Sequence, residues 1–268
     1  MEQISKGDGE STVFSAYSSS VINLNNNWDT SLGVTAQYFT LNNNLSIEPR
    51  VALKWKINPK HSLALAYGLH SRREKLDYYF VEKVVNGKNQ SNRYLDFSRA
   101  HHVGMTYDWN INQNLHLKIE PYFQYLFRIP VEKNSSFSVI NHEEFYLDRI
   151  LTNTGQGRNY GIDITLEQYM KNGFYYMITG SLFKSKYRGG DNVWRNTRLD
   201  KNYLLNLLAG KEWMVGKLKQ NVLSLNGRLF FQGGERYTPV NEERSQTEHD
   251  IFFDETKAYS KRFNPSLP

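Results

Sequence analysis

The sequence contains no cysteine and no long apolar segment. Without a thiol, the chain can form neither a disulfide nor a thiolate-ligated metal site. No run of about 18 apolar residues occurs along the 268 residues, and a membrane-crossing helix requires such a run. The mean hydropathy is −0.64. These absences exclude a helical membrane protein and a disulfide-stabilised domain.

Charge of one sign is not concentrated anywhere in the chain. The formal net charge is +6, from 33 Lys and Arg against 27 Asp and Glu, and the basic residues are spread evenly. A nucleic-acid-binding domain gathers its basic residues in a patch or stripe. We therefore expect no nucleic-acid partner. Aromatic residues are abundant, at 14% of the chain.

Short and long polar connections alternate along the chain. The short ones are rich in Asn, Gly and Pro, which are the residues that tight turns require. The long ones exceed ten residues each. The short connections are 25–27, 58–60, 112–114, 171–173 and 216–221, and the long ones are 71–98, 127–157, 188–199 and the region after 233.

Between these connections, apolar and polar residues alternate with a period of two, which predicts β-strands. Leu63, Leu65 and Tyr67 fall on one face of such a strand, with Ala64 and Ala66 on the other. The predicted strands are 11–24, 29–41, 46–57, 61–70, 99–111, 115–126, 158–170, 173–187, 200–215 and 221–233.

Strand length favours an antiparallel transmembrane β-barrel over a soluble sandwich. Soluble strands usually have about 5–6 residues, whereas a tilted membrane crossing needs about 9–11. Such barrels have short periplasmic turns, long extracellular loops and aromatic girdles, and their hydropathy is diluted because only half of each strand faces lipid. Aromatic residues predicted near strand ends are Trp28, Trp109, Tyr125, Tyr169, Tyr187 and Trp213.

Several stretches, taken in their order and spacing, resemble the barrel of TonB-dependent outer-membrane receptors of the Bacteroidetes type. In that family a strand containing Glu-Pro-Arg, here Glu48-Pro49-Arg50, precedes a turn and a strand similar to Leu63–Gly68. The resemblance covers about residues 10–250. Its stretches are Leu45–Arg50, Leu53–Trp55, Ile57–Gly68, Ser98–Gly104, Ile119–Leu126, Asn153–Asp163, Gly189–Asp191, Trp194–Asn196 and Gly233–Pro239.

The resemblance implies a 22-stranded barrel of the Gram-negative outer membrane, filled by an N-terminal plug. The plug would engage the TonB energy-coupling protein and move during uptake of a scarce ligand such as a siderophore, cobalamin or glycan. We expect residues 1–268 to be one partial barrel domain, without the plug, the early strands or the last strands. The first ten residues contain no apolar stretch of a signal peptide, which also suggests a fragment.

Two other functions are compatible with the same pattern. A soluble or surface-attached β-rich module could stack aromatic side chains on a glycan. A passive porin would need a complete barrel without a plug. Lipid contact of the apolar strand face distinguishes a barrel from the soluble module, because only a barrel exposes that face to lipid.

Ligand contacts are expected in the predicted outer loops, where recognition residues commonly lie. The region 188–198 combines aromatic and cationic side chains, and a second group lies in the loop 71–98. The alternative for both groups is that the loops pack on one another. The candidate ligand-binding residues are Trp194, Arg195, Arg198, Tyr78, Tyr79 and Phe80.

The charged residues of the strands fall on the face opposite the apolar one. In a large barrel that face lines the lumen, so these residues could form a charge network against the plug. The predicted lumen-facing charges are Glu48, Arg50, Lys54, Asp108, Lys118, Glu120, Asp163 and Glu167.

No metal site, cofactor or catalytic centre is expected. His101 and His102 are adjacent on a strand and therefore point to opposite faces. The segment 155–158 has the glycine spacing of a phosphate loop but precedes a strand, so we interpret it as a flexible start of that strand. Ser98 lies near His101 without an evident acid partner. The segment 142–144 could contact ions or ligand, or be a solvated loop.

Overall fold

A computed structural model describes residues 10–85, 87–144 and 146–265. The signal-peptide expectation for the first ten residues falls almost entirely outside this range. No helix in the described part of the chain has the length and apolar character needed to cross a membrane. The elements are β1 (Val13–Asn23), β2 (Trp28–Phe39), β3 (Asn44–Asn58), β4 (His61–Arg72), β5 (Glu82–Val85), β6 (Lys88–Ser91), β7 (Ser98–Asn110), β8 (Leu115–Glu132), β9 (Leu151–Lys171), β10 (Phe174–Arg188), β11 (Trp194–Asn196), β12 (Tyr203–Val215), β13 (Asn221–Gln232), β14 (Arg236–Tyr237), α1 (Glu242–Glu248) and β15 (Lys261–Arg262).

Ten strands form one antiparallel meander in which each strand pairs with its neighbours in the chain. The order is β1-β2-β3-β4-β7-β8-β9-β10-β12-β13, and β11 adds to the tip of β10. All ten predicted strands are present, and the all-β antiparallel prediction is confirmed. Within the described residues, β1 and β13 are the two ends of this order.

Three of the short turns share the same asparagine chemistry. The side-chain oxygen of Asn25 accepts hydrogen bonds from the backbone N–H groups of Asn27 and Trp28, at 2.9 and 3.0 Å. Asn58 and Asn112 each bind the backbone two and three residues further on in the same way. These side chains replace backbone turn contacts, which explains why an asparagine begins each turn.

The turn between β9 and β10 has a different mechanism. Asn172 and Gly173 both have positive φ, at 53° and 73°. Two consecutive residues of positive φ define the hairpin turn that matches the twist of its strands, and Asn-Gly is its preferred sequence.

One long loop is much shorter than the sequence predicts. The predicted loop 127–157 shrinks to 133–150, because β8 continues to Glu132 and β9 begins at Leu151. The connection 40–43 has only four residues, although it lies on the side of the long loops. The alternation of short and long connections therefore has one exception.

The extension of β9 corrects the interpretation of 155–158 as a flexible strand start. Gly155 pairs with Ile129 beside a bulge at which Arg128 has a φ of +55°. A Cβ atom on Gly155 would lie 2.4 Å from Val131 Cγ1, so the bulged strand leaves no room for a side chain. Glycine is rare in strands. An alternation of apolar and polar residues does not show that position 155 needs glycine so that the neighbouring strand can approach closely.

The strand register separates an apolar face from a polar one. Leu53 lies opposite Leu65, and Leu65 lies opposite Met105, so the three form one row across β3, β4 and β7. Opposed residues of antiparallel strands share a face. Similar rows of exposed Leu, Ile and Val continue to β13. One side of the sheet is thus a broad exposed apolar surface.

Aromatic residues gather along the short-turn edge of the sheet. Trp28 stacks on Trp55 with centroids 5.4 Å apart, and Trp109 stacks on His61 at 5.5 Å. Tyr169 and Trp213 lie near the same edge. The predicted strand-end position is confirmed for Trp28, Trp109, Tyr169 and Trp213.

The strand-end position is confirmed for Tyr187 and wrong for Tyr125. Tyr187 is the second-to-last residue of β10, and it is fully buried where the long loops cover that end of the strand. Tyr125 lies within β8, because that strand continues for seven further residues. The predicted strand limit at 126 therefore stops too early.

The buried core lies at the long-loop end of the sheet, where the loops 73–97 and 133–150 cover the ends of β2, β8 and β9. We call this region the loop cap. Asn92 holds its two loops together, since its amide donates to the Arg149 carbonyl and accepts from Leu151 N–H, both at 2.8 Å. The buried apolar residues of the cap are Phe39, Leu41, Tyr78, Tyr79, Val81, Leu95, Phe97, Ile129, Val139, Leu147 and Leu151.

Candidate functional site

The eight predicted lumen charges share the polar face of the sheet. Register places Asp108 opposite Lys118, and Glu120 opposite Asp163. Lys118 is 2.7 Å from Glu120 along the same strand. The predicted charges of β3 and Glu167 of β9 lie on the same face in other rows, so the face carries a mixed network of acidic and basic groups. The face-sharing residues are Glu48, Arg50, Lys54, Asp108, Lys118, Glu120, Asp163 and Glu167.

Glu48 is the most buried member of this network, with 2% of its surface exposed. Gln37 Nε2 donates to its carboxylate at 2.7 Å, and Arg50 approaches it at 3.3 Å. A buried carboxylate requires such partners. Glu48 therefore stabilises the loop end of the polar face.

Adjacent histidines and the Ser–His pair are divided between the two faces. His101 accompanies Tyr67 on the apolar side, with ring nitrogen and hydroxyl 3.0 Å apart. His102 lies on the polar side against His70, with ring centroids 4.4 Å apart. Ser98 belongs to the polar side and bonds Glu74. Ser98 and His101 therefore do not face one another.

No group of three or more metal-ligating side chains occurs among the described residues.

The predicted aromatic ligand group at 78–80 is part of the cap core. Tyr78 and Tyr79 are 3% and 1% exposed, and Phe80 packs against the same cluster. Burial raises the pKa of Tyr79 to about 12. In this structure the two tyrosines present almost no surface to a ligand. The prediction of direct ligand contact does not fit their placement, because the loop folds its rings inward.

Trp194 and Arg195 belong to β11 and serve the local structure. The guanidinium of Arg158 lies 4.3 Å from the ring centre of Trp194. Arg195 holds Asp191 through two hydrogen bonds of 2.9 and 2.6 Å. Burial is the largest single influence and would raise the pKa of Asp191. The hydrogen bonds from Arg195 and from the backbone, together with the charge of Arg195, outweigh it and lower that pKa. The contact between Arg158 and Trp194 and the ion pair between Arg195 and Asp191 thus hold the loop 189–202 in place.

Arg198 is the predicted ligand residue that lines an open site. It bonds Glu143 from one loop and Glu235 from another. Around it lies a cleft of about 960 Å³ between the loop 133–150 and the segment 233–265, which we call the loop cleft. The aromatic residues that line it are Phe137, Tyr146, Tyr237, Phe253, Tyr259 and Phe263.

One buried carboxylate anchors the segment that forms the far wall of the cleft. Asp200 is fully buried and accepts hydrogen bonds from Arg236 at 2.8 Å and Arg262 at 3.2 Å. These arginines belong to β14 and β15, which pair with each other. Asp200 therefore binds both ends of the segment to the loop before β12.

A smaller polar pocket of about 160 Å³ adjoins the cleft. It shares Phe137, Arg149, Thr238, Glu255 and Tyr259 with the cleft lining, and we call it the inner pocket. Its remaining lining residues are Ser135, Ser136, Ser138 and Asn141. The pocket is therefore rich in hydroxyl and amide groups.

Most residues of the cleft were missed by reasoning from the sequence. The stretch Gly233–Pro239 entered only through the family resemblance, and the segment 142–144 was considered as an ion or ligand contact or a solvated loop. Glu143 in fact contacts Arg198. The region after position 233 has no more aromatic residues than the chain average of 14%, and no local pattern pairs them with the loop 133–150.

Gly190 allows the backbone of the loop 189–202 to approach the end of β8 closely. A Cβ atom on Gly190 would lie 1.9 Å from the Glu132 carbonyl oxygen. We expect Gly190→Ala to force the two loops apart and to destabilise the loop region by roughly 1–3 kcal/mol, as overpacking does. Faster proteolysis of the loop 133–150 in the membrane-inserted protein would show this. Gly227→Ala is the matched control, since nothing lies within 4 Å of its added Cβ.

The Asp191–Arg195 pair predicts a pH-dependent contribution to stability. A carboxyl group whose pKa is lowered by folding stabilises the protein above its unfolded pKa of 3.8, and this stabilisation is lost as pH falls through the folded pKa. We expect Asp191→Asn to lower the thermal unfolding midpoint of the detergent-solubilised protein at pH 7. The difference from wild type should shrink as the pH falls below 3.8, and it should vanish only below the lowered pKa of the folded state. An equal difference at both pH values would contradict the role of the charge.

The antiparallel meander and its exposed apolar face together match the wall of a membrane β-barrel. No protein-family model matches the chain, and no curated protein sequence matches it either. Comparison with solved structures does find matches, and these structural neighbours are TonB-dependent outer-membrane receptors and transporters. The predicted resemblance is confirmed at the level of the fold, which is that of Gram-negative outer-membrane proteins.

Three of these neighbours show the extent of the match. The outer membrane transporter YddB of Escherichia coli is 12% identical with a TM-score of 0.61, over 96% of this chain and 38% of YddB. The ferripyoverdine receptor of Pseudomonas aeruginosa is 13% identical with a TM-score of 0.63, over 87% and 30%. The FrpB iron transporter of Neisseria meningitidis is 11% identical with a TM-score of 0.61, over 85% and 34%. The chain spans about a third of each neighbour.

Proposed function

We propose that this chain is part of the barrel of an outer-membrane receptor that takes up a scarce ligand by TonB-dependent transport. The apolar face contacts lipid, the charged face lines the lumen, and the loop cleft lies at the cell exterior. The full receptor would add further strands and a plug that engages the energy-coupling protein. The observation that carries the proposal is the ten-stranded meander with one exposed apolar face and a loop cap.

The size of the exposed apolar face supports its contact with a membrane. A soluble monomer rarely exposes an apolar patch larger than a few hundred Å². Here exposed apolar side chains run across the whole width of the meander. In water such a surface would cause aggregation, whereas a bilayer stabilises it.

The charged face supports a lumen packed against a plug rather than an open surface. Several of its charges are paired, as between Lys56 and Asp29 and between Lys118 and Glu120, both at 2.7 Å. A barrel of about 22 strands has a lumen wide enough to hold a plug. The outer edges of β1 and β13 would then pair with the remaining strands of the receptor, because unpaired strand edges are unstable in lipid.

Cysteine labelling tests the proposed orientation without background, because the chain has no cysteine of its own. The test uses the protein at its natural length in outer membranes. Leu65→Cys should react only with a lipid-soluble maleimide, and its strand neighbour Ala64→Cys should be protected from that reagent. Tyr94→Cys, in the cap, should label in intact cells. Leu218→Cys, in a short turn, should label only after the outer membrane is permeabilised.

Two results would overturn the proposal. Equal labelling of Leu65→Cys and Ala64→Cys by a water-soluble maleimide would indicate a soluble β-rich module. Swelling of liposomes that contain the reconstituted protein, in a solution of a small neutral sugar, would indicate a passive porin. The receptor proposed here should cause no swelling, since its lumen is plugged.

A further inference from the structure

We propose that the loop cleft binds an uncharged, hydroxyl-rich ring ligand, namely one sugar unit of a neutral oligosaccharide seated in the inner pocket. This inference rests on the proposed function and specifies the ligand class of that site. Three independent features support it: the unsatisfied Asn141 amide of the inner pocket, the neutralised cations of the cleft, and the exposed aromatic rings at its rim.

One hydrogen-bond donor in the inner pocket, the side-chain amide of Asn141, lacks an acceptor. Asn141 accepts from Arg198 N–H at 2.9 Å through its side-chain oxygen, but its buried Nδ2 has no partner among the described residues. An amide carries two donors on that nitrogen. A buried donor without an acceptor destabilises the protein by about 1–3 kcal/mol. A ligand whose oxygen accepts this hydrogen bond is therefore favoured here.

Two hydroxyls of the pocket act as acceptors, whereas that of Ser136 donates to Glu255. Ser135 Oγ accepts from Phe137 N–H at 3.1 Å, and Thr238 Oγ1 accepts from Tyr259 N–H at 3.2 Å. Each hydroxyl therefore retains its own O–H to donate. Hydroxyl and ring oxygens of a sugar accept such bonds, and sugar hydroxyls can in turn donate to the Glu255 carboxylate at the pocket wall.

The charges of the cleft argue against an anionic ligand. Arg198 is bound by two carboxylates, Arg149 lies 2.5 Å from Glu132, and Arg236 is held by Asp200. Every arginine that lines the cleft is thus neutralised by an acidic partner. An anion would have to displace one of these carboxylates, whereas a neutral ligand need not.

Aromatic rings at the rim provide flat apolar surfaces for further units of the chain. Tyr237 and Phe263 stack with centroids 4.4 Å apart and are 36% and 58% exposed. Phe253 and Tyr146 are more than half exposed on the same cleft. Aromatic residues contribute large contact areas at binding sites, and the apolar C–H faces of sugar rings match them.

Binding by the purified natural-length protein tests the inference. Isothermal titration would use four neutral probes, maltohexaose, cellohexaose, xylohexaose and mannohexaose, and two anionic ones, tetragalacturonate and a ferric tricatecholate. We expect at least one neutral hexamer to bind and neither anion to do so. Asn141→Asp keeps the acceptor for Arg198 N–H but removes the donor, so it should weaken that binding at least tenfold.

Variants at the rim separate a binding role from a merely structural one. Tyr237→Ala should weaken binding at least tenfold, whereas Tyr237→Phe keeps the ring and should stay within twofold of wild type. Tyr94→Ala removes a highly exposed ring of the cap outside the cleft and serves as the control, also within twofold.

Failure of all four neutral probes to bind would overturn the inference, as would tighter binding of either anion. Binding that is unchanged by both Asn141→Asp and Tyr237→Ala would place the ligand elsewhere and also overturn it. These outcomes leave the proposed function intact if the cysteine-labelling pattern holds. Loss of that pattern would instead reject the membrane barrel itself, whatever the sugar result.

Discussion

Ile178→Arg is expected to prevent stable insertion of the protein into the outer membrane. Ile178 lies on the apolar face of β10, between Leu166 of β9 and Leu207 of β12. It is four residues from the start of the strand, which places it close to the middle of a crossing of about 10 residues. Arginine at the bilayer midplane of such a barrel costs about 2–4 kcal/mol. The amount of folded protein in outer-membrane fractions measures the effect.

The adjacent position provides a matched control. Thr179 lies on the polar face, between Thr165 and Asn206. Thr179→Arg adds the same charge and volume to the same strand, yet on the side proposed to line the lumen. We expect it to assemble at nearly the wild-type level. Similar losses for both variants would show that the two faces do not differ in their contact with lipid.

Asp200→Ala is expected to release the segment 233–263 from the loop region. The substitution leaves Arg236 and Arg262 without their shared carboxylate, and removing one partner of a buried ion pair costs about 3–5 kcal/mol. Both arginines keep some exposure, at 13% and 22% of the side chain, so we expect about 3 kcal/mol. Such a change corresponds to roughly a hundredfold rise in the open population.

Trypsin cleavage after Lys257 and Lys261 would measure this opening in the membrane-inserted protein. Asp250→Ala is the control, because Asp250 lies on the same segment but is exposed and bonds only its neighbour Ile251 among the described residues. Unchanged cleavage in Asp200→Ala would mean that other contacts suffice to hold the segment. The bond between Ser136 and Glu255 would then be the first to examine.

The loop packing shows why strand prediction succeeded where loop prediction did not. Strands such as β4 follow from an alternation of neighbours in the chain, as with Leu65 between Ala64 and Ala66. Tyr78 and Tyr79 carry no comparable local signal. Their burial depends on Phe39 and Phe97, which the fold brings to them.

Whether a candidate ligand residue lines the cleft also depends on contacts with distant residues. Arg195 could be recognised as a cation in a loop, but not as the partner of Asp191 in a closed ion pair. Arg198 is a cation in the same predicted loop, and it does line the cleft. Nothing in the segment 188–198 distinguishes the two, because the difference lies in Glu143 and Glu235, which are 55 and 37 residues away.

The sequence by itself determined the ten strands, their two faces and the short turns. These features depend on interactions between residues a few positions apart: side chains alternate along a strand, and Asn25, Asn58 and Asn112 bind their own turns. Only the tertiary structure decided the loop cap, the loop cleft and the inner pocket. Their contacts join distant loops, as Ser136 meets Glu255 across 119 residues, and no local pattern encodes which loops meet.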